Sequence, residues 1–356
     1  MTERKRLECV NSDQEHEILQ LMRGFAIIMV VLQHSVVLFF HSPAADELLS
    51  TCVFIDVHIF MFVSGYLFQK NSEKYKTMGI KHFTLKKLKS IGIPYLFWES
   101  ILYFGTFFLY LIPNVGVNLC QNVLHFPRLS LPQIFFGLLT FRYSYIELYW
   151  FLYALFCVMM IHYVFIKFSS RIEFTLICFL LVGIMAVFFK NDVYILTKIS
   201  RSLLTFGLGR WFQRSGIHKN ILYDWKIYCT VAVAFLLRHI PLVTNYHYVN
   251  DIFLSFRITL FGIIGIVVFY TVSVLMVSYG VKLRRLFSYL GDYSFAIFLL
   301  HNPWFVYTTG FAAKKLSLPA EVGVVISFFA GFLFPIVIYK FIIKKNQTLS
   351  LVMLGR

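Results

Sequence analysis

Leu21-Met22-Arg23-Gly24-Phe25-Ala26-Ile27-Ile28-Met29-Val30-Val31-Leu32-Gln33-His34 is an apolar run that carries an arginine near its start and a histidine eleven residues later. A run of this length without proline reads as helix. At about 100° per residue, eleven steps end roughly 20° past three full turns, so Arg23 and His34 share one face. They stand roughly 16 Å apart along the axis. In a bilayer this puts the arginine near one edge of the hydrocarbon and the histidine near mid-depth. Ionisable groups there are costly unless they line a polar cavity.

The rest of the chain agrees with a membrane setting. Of 356 residues, 59% are hydrophobic and 14% charged, with a mean hydropathy of +0.73; soluble domains carry about 25% charged residues. The expected fold class is an all-α polytopic membrane protein. Met1 to Gln20 is polar and the first apolar run is too long for a signal-peptide core, so no cleavable signal is expected. Six cysteines lack CxxC spacing and imply neither a metal site nor a disulfide framework.

Apolar runs of about 17–25 residues give about ten transmembrane helices, at 18–41, 49–69, 90–112, 148–168, 173–189, 193–213, 226–243, 253–279, 286–309 and 321–343. With alternating sides, 23 Lys and Arg fall on the side of the termini and 9 on the other, Arg23 apart. That asymmetry places both termini in the cytoplasm. It also explains the net charge of +16 as basic cytoplasmic loops and argues against nucleic acid as a partner. The expected organisation is a cytoplasmic N-terminal segment (1–17), a membrane domain (18–343) and a cytoplasmic tail (344–356). The longest connection, about 113–147, is expected to face out.

Helical rise then sets depth. His34, Asp56 with His58, Arg201 and His301, on four different spans, fall within a few ångströms of one level. Each has an ordinary explanation: interhelical hydrogen bonding for a histidine, an ion pair for Asp56 and Arg201, snorkelling for Arg23. Their convergence implies a polar cavity, whose uses are chemistry or transport. The basic run Lys81-His82-Phe83-Thr84-Leu85-Lys86-Lys87-Leu88-Lys89 reads as an anchor on anionic lipid or as a docking site for a polyanion such as coenzyme A. No phosphate loop, HExxH or GxSxG motif is present. Ser64-Gly65 reads as a small-residue helix contact rather than a nucleophile.

Arg23-Gly24 with His34 resembles the first-helix signature of the membrane-bound acyltransferase family 3, which includes O-acetylases of O-antigen, capsule and exopolysaccharide. Phe60-Met61-Phe62-Val63-Ser64-Gly65-Tyr66-Leu67 is similar to its second-helix motif, and the basic run closed by Pro94-Tyr95 to its first cytoplasmic loop. Tyr149-Trp150-Phe151-Leu152 and Gly291-Asp292-Tyr293-Ser294 through Leu300-His301 resemble two later motifs. The resemblance implies an enzyme of the bacterial inner membrane that moves an acyl group, usually acetyl, from cytosolic acetyl-CoA to a hydroxyl of a cell-surface glycan or its lipid-linked precursor.

On this reading His34 and Arg23 are the essential pair, His34 as general base and Asp56 as a carboxylate to orient it. His58, Arg201, His301, Glu147 and Trp150 are the expected substrate contacts, with Arg201 near a developing oxyanion. Arg23, Lys86, Lys87 and Lys89 are the expected acyl-CoA contacts. Where the family has paired arginines in the first loop this chain has lysines, which are point charges rather than bidentate forks. No metal is expected. The competing class is a proton-coupled secondary transporter relaying protons through His34, Asp56 and His301.

Overall fold

The computed structural model describes residues 12–40, 43–123, 126–144, 149–168, 172–188, 194–216, 225–238 and 247–356. Among the described residues the chain is helical and has no strand. The main helices are α1 (Ser12–Val37), α2 (Pro43–Lys70), α3 (Ile80–Lys87), α4 (Ile93–Leu109), α5 (Leu131–Thr140), α6 (Trp150–Phe168) and α7 (Ile172–Phe188). They continue as α8 (Tyr194–Ser215), α9 (Trp225–Arg238), α10 (His247–Ser278), α11 (Arg284–Leu300), α12 (Val306–Lys315), α13 (Ala320–Phe341) and α14 (Gln347–Leu354). A helix overlies each of the ten apolar stretches read from the sequence. Among the described residues four are long and apolar enough to cross a membrane: Asp13–Val37, Trp150–Phe168, Thr259–Ser278 and Ala320–Lys345.

Two close helix crossings hold the centre together. A Cβ added to Gly24 on α1 would lie 2.0 Å from the Phe287 carbonyl oxygen on α11. One added to Gly291 on α11 would lie 2.0 Å from that of Gln20 on α1. Each glycine thus sits on the carbonyl four residues before its partner glycine, the pattern of two parallel helices in backbone contact. Small residues permit this approach, and Cα–H groups then face carbonyl oxygens. The same reciprocity joins α2 to α8, where Gly65 meets the Phe206 carbonyl and Gly209 that of Phe62. Gly65 therefore makes a helix contact, while its neighbour Ser64 lines the cavity described below. Around the first crossing, Ile18, Leu19, Leu21, Met22, Ile59 and Tyr66 form a buried apolar cluster. A second cluster gathers Ile27, Val31, Tyr149, Leu152, Ile297 and Leu299.

Two connecting segments pack closely against the helices. Residues 126–144 run along α4: the Tyr110 hydroxyl donates to the Phe126 carbonyl, Tyr95 to Leu138 (3.0 Å), and Ser144 to the Glu99 carboxylate (2.7 Å). Apolar α5 explains this, because its face needs a partner; Ile134 and Leu138 bury against Tyr103. The tail likewise folds back. The Asn346 side chain caps α14 by accepting from Leu349 N–H, Gly355 closes it at φ 69°, and the Trp98 indole N–H donates to the Met353 carbonyl at 3.0 Å.

The first crossing leaves no room for a methyl group. Gly24→Ala or Gly291→Ala should destabilise the protein by about 1–3 kcal/mol through forced helix separation. Gly105→Ala, where an added Cβ meets nothing within 4 Å, should be neutral or stabilising. Thermal melting of the three detergent-solubilised variants checks the contrast.

Candidate active site

The chemistry-bearing residues gather where α11 ends. Asn302-Pro303 forces the break: a residue before proline is driven out of the helical region, and Asn302 lies at φ −130°, ψ 138° inside the π-helical turn His301–Phe305. Pro303 has no N–H, so the Leu299 carbonyl loses the helical donor it would otherwise have. Tyr149 replaces that donor, its hydroxyl giving a hydrogen bond to Leu299 at 3.1 Å. The aromatic at the start of the Tyr149-Trp150-Phe151-Leu152 motif thus repairs the break that the Leu300-His301-Asn302-Pro303 segment creates.

His301 is fully buried, and its Nδ1 lies 2.9 Å from the Ile297 carbonyl and 2.8 Å from that of Phe298. Carbonyls only accept, so Nδ1 carries the proton. The neutral ring then presents the lone pair of Nε2, which has no hydrogen-bond partner. Beside it lies His34, in the last turn of α1, with ring centroids 5.3 Å apart. Asn302 reaches the same histidine: its Nδ2 is 3.3 Å from His34 Nδ1, and its buried Oδ1 is unpartnered. As placed, the amide donates to His34. Turned end for end, it accepts from Nδ1–H and frees Nε2 as a lone pair. The orientation of the Asn302 amide is thus coupled to the tautomer of His34.

A cavity of about 390 Å³ approaches this cluster from the start of α1. Arg23, Lys344, Arg356 and Asp292 line one part of it, and Phe60, Phe151 and Phe298 another. The three phenyl rings form a collar with centroids 5.2–6.4 Å apart. Phe298 stands 6.1 Å from His301, so one ring lies between the cavity and the histidine pair, neither of which lines it. The glycine crossing explains the polar part: Arg23 and Asp292, the chain neighbours of Gly24 and Gly291, line the same cavity. Arg23 also donates to Gln20 at 3.4 Å.

The structure brings together only part of the expected set. Arg23, His34 and His301 belong to the cavity and the cluster beyond it. His58 is buried on α2 and packs against Gly262 of α10, where an added Cβ would meet its ring at 2.5 Å. Arg201 on α8 accepts through its carbonyl from Thr205 and lies outside the cavity lining. Trp150 opens α6 with the Lys198 ammonium 4.7 Å over its ring. The Asp56 side chain and Glu147 lie outside the described residues.

The basic run also stands apart from the cavity. Lys86, Lys87 and Lys89 are absent from its lining. Lys87 lies 5.2 Å over the Tyr75 ring and 5.5 Å over Phe83, and Lys86 lies 5.9 Å over Tyr75. Burial, with Lys86 adding repulsion, lowers the Lys87 ammonium to about 8. The amphipathic spacing of this run buries Phe83, and Lys87 follows the ring inward. The basic residues that line this cavity beside Arg23 are Lys344 and Arg356. Sequence reasoning passed over these two and Asn302, because none stands in a run or at a telling spacing.

Residues 16–340 match the family model described as an acyltransferase domain. No curated protein and no solved structure matches the chain.

The role of Asn302 has a direct check. Asn302→Leu, similar in size but unable to hydrogen-bond, should lower the acyl-transfer rate by about 10- to 100-fold. Asn302→Asp, which accepts from Nδ1–H and holds Nε2 as the base, should keep most of it. Equal rates for Asn302→Leu and the unaltered chain, measured in membranes, would remove the tautomer role.

Proposed function

The chain belongs to acyltransferase family 3, and from that premise we propose that it moves an acetyl group from cytosolic acetyl-CoA to a hydroxyl of a cell-surface glycan or its lipid-linked precursor. The observation that carries this reading is the line from Arg23, through the cavity, to Phe298, His301 and His34. Arg23 and His34 stand roughly 16 Å apart along α1. That separation is too long for one reacting atom but suits a donor whose phosphates stay near the arginine while its thioester reaches the histidines through an extended pantetheine arm.

In this mechanism His34 is the general base. With Asn302 accepting from Nδ1–H, Nε2 takes the proton of the acceptor hydroxyl as its oxygen attacks the thioester carbonyl carbon. The carbonyl oxygen takes up the negative charge of the tetrahedral intermediate. As the tetrahedral intermediate collapses, the C–S bond breaks, the new ester forms and the CoA thiolate leaves. The proton held on His34 passes to that thiolate. His301, with Nδ1 bound to two carbonyls and Nε2 open, is the second acceptor in the site. It orients the hydroxyl or shares the proton with His34.

The family setting and the apolar helices support a membrane location; the bacterial inner membrane, with ten crossings and both termini cytoplasmic, is the form of it proposed here. This orientation brings the Arg23 end of the cavity to the cytoplasm, where acyl-CoA is made, and the acceptor to the opposite side. The collar of Phe60, Phe151 and Phe298 then separates the two compartments between turnovers, because a charged donor cannot cross a closed ring of phenyls.

The expected result of His34→Ala is loss of glycan acetylation by at least about 100-fold while the protein still inserts and melts normally. Mass spectrometry of surface glycan from cells carrying either form reads the acetyl group directly. Unchanged acetylation in the variant would end the assignment of His34 as base.

A further inference from the structure

The cavity holds more positive charge than its neighbours neutralise. Arg23, Lys344 and Arg356 converge on it, against the single carboxylate of Asp292 among the lining residues. Arg23 lies within electrostatic reach of both Asp292 and Arg356. Three cations brought together in one concave site repel one another, and nothing in the fold requires the last two to be there. Lys344 and Arg356 are carried by the segment that follows α13.

That segment is held by specific contacts. Asn346 caps the start of α14. Leu354 buries at its end, and the left-handed Gly355 (φ 69°) turns the chain tightly against Ser90, whose carbonyl would lie 2.4 Å from an added Cβ. The Trp98 indole pins the Met353 carbonyl. Arg356 is what this anchoring delivers: exposed, with its guanidinium 5.9 Å over the Phe295 ring, at the rim of the cavity that Arg23 lines from inside. Lys344 enters the same rim from the 3-10 turn Ile343–Lys345, while neighbouring Lys345 lies 5.8 Å over Phe341.

We propose that residues 344–356 complete the donor site, with Lys344 and Arg356 joining Arg23 to hold the phosphates of acyl-CoA. The assignment rests on the acyl-CoA reading above and refines it. Guanidinium forks match phosphate oxygens bidentately and the ammonium adds a point charge. The cradle therefore replaces the lysines of the first cytoplasmic loop, which stack on Tyr75 and Phe83 and stand outside the cavity. It also ties donor binding to the fold: the tail docks on Ser90 and Trp98, at the junction of the basic loop with α4.

The test is calorimetric titration of CoA into the purified full chain, with melting temperature recorded for each variant. Arg356→Gln and Lys344→Gln should each weaken CoA binding about tenfold, one decade per 1.4 kcal/mol, without lowering the melting temperature. Arg356→Lys should recover part of the loss, and Lys345→Gln should bind as the unaltered chain does. Adenosine 3′,5′-bisphosphate should displace CoA from the unaltered chain and do so about tenfold less well in Arg356→Gln. CoA binding equal in all forms would overturn the cradle and leave the donor reading standing. Weakened binding with a lowered melting temperature and no recovery in Arg356→Lys would make the tail a structural brace and overturn it too. Failure of the unaltered chain to bind CoA would remove the donor reading itself, and the cradle with it.

Discussion

The close crossing of α1 and α11 at Gly24 and Gly291 is the constraint on which the rest depends. With both side chains absent, α1 and α11 approach until each glycine rests on a carbonyl of the other helix. In a hydrocarbon surround there is little hydrophobic drive between helices, so association relies on such close packing. The consequence for chemistry is direct. Residues next to the crossing, Arg23 and Asp292, line the same cavity. Farther along the same helices, His34 and His301 come to 5.3 Å between ring centroids. One crossing thus registers both the polar and the reactive ends of the site.

The second constraint is the break at Pro303. Backbone polar groups deep in an apolar interior must find partners, and a proline removes one donor while forcing its predecessor out of the helix. Here the freed groups are taken up by side chains that belong to the site: Tyr149 on the Leu299 carbonyl, His301 on that of Phe298. The break therefore does two things at once. It turns Asn302 toward His34, and it fixes the proton of His301 on Nδ1, leaving one unpartnered nitrogen in a buried place. An unsatisfied buried acceptor costs about 1–3 kcal/mol, a cost commonly retained where a substrate supplies the missing partner.

Arg23 shows how sequence-distant parts share one task. It lies near the beginning of the described chain, whereas Lys344 and Arg356 lie at its end, and all three line one cavity. The tail reaches that place through a capped helix, a left-handed glycine and a tryptophan hydrogen bond. In the first loop, Lys86 and Lys87 lie over aromatic rings.

The apolar periodicity of the chain was enough to mark a helix at each expected stretch, because burying backbone in an apolar surround admits little else. The eleven-residue spacing was enough to place Arg23 and His34 on one face, since helical geometry is local. What periodicity does not carry is which faces meet. Asn302, Lys344 and Arg356 have no spacing that announces them, and the packing of 126–144 along α4 follows from an apolar face finding a partner far away in the chain. Sequence by itself determined helices, their faces and the residues too polar to be there without purpose. Only tertiary structure decided which of those residues touch, because interhelical register is set by close contacts such as Gly24 on Phe287, and no local rule encodes it.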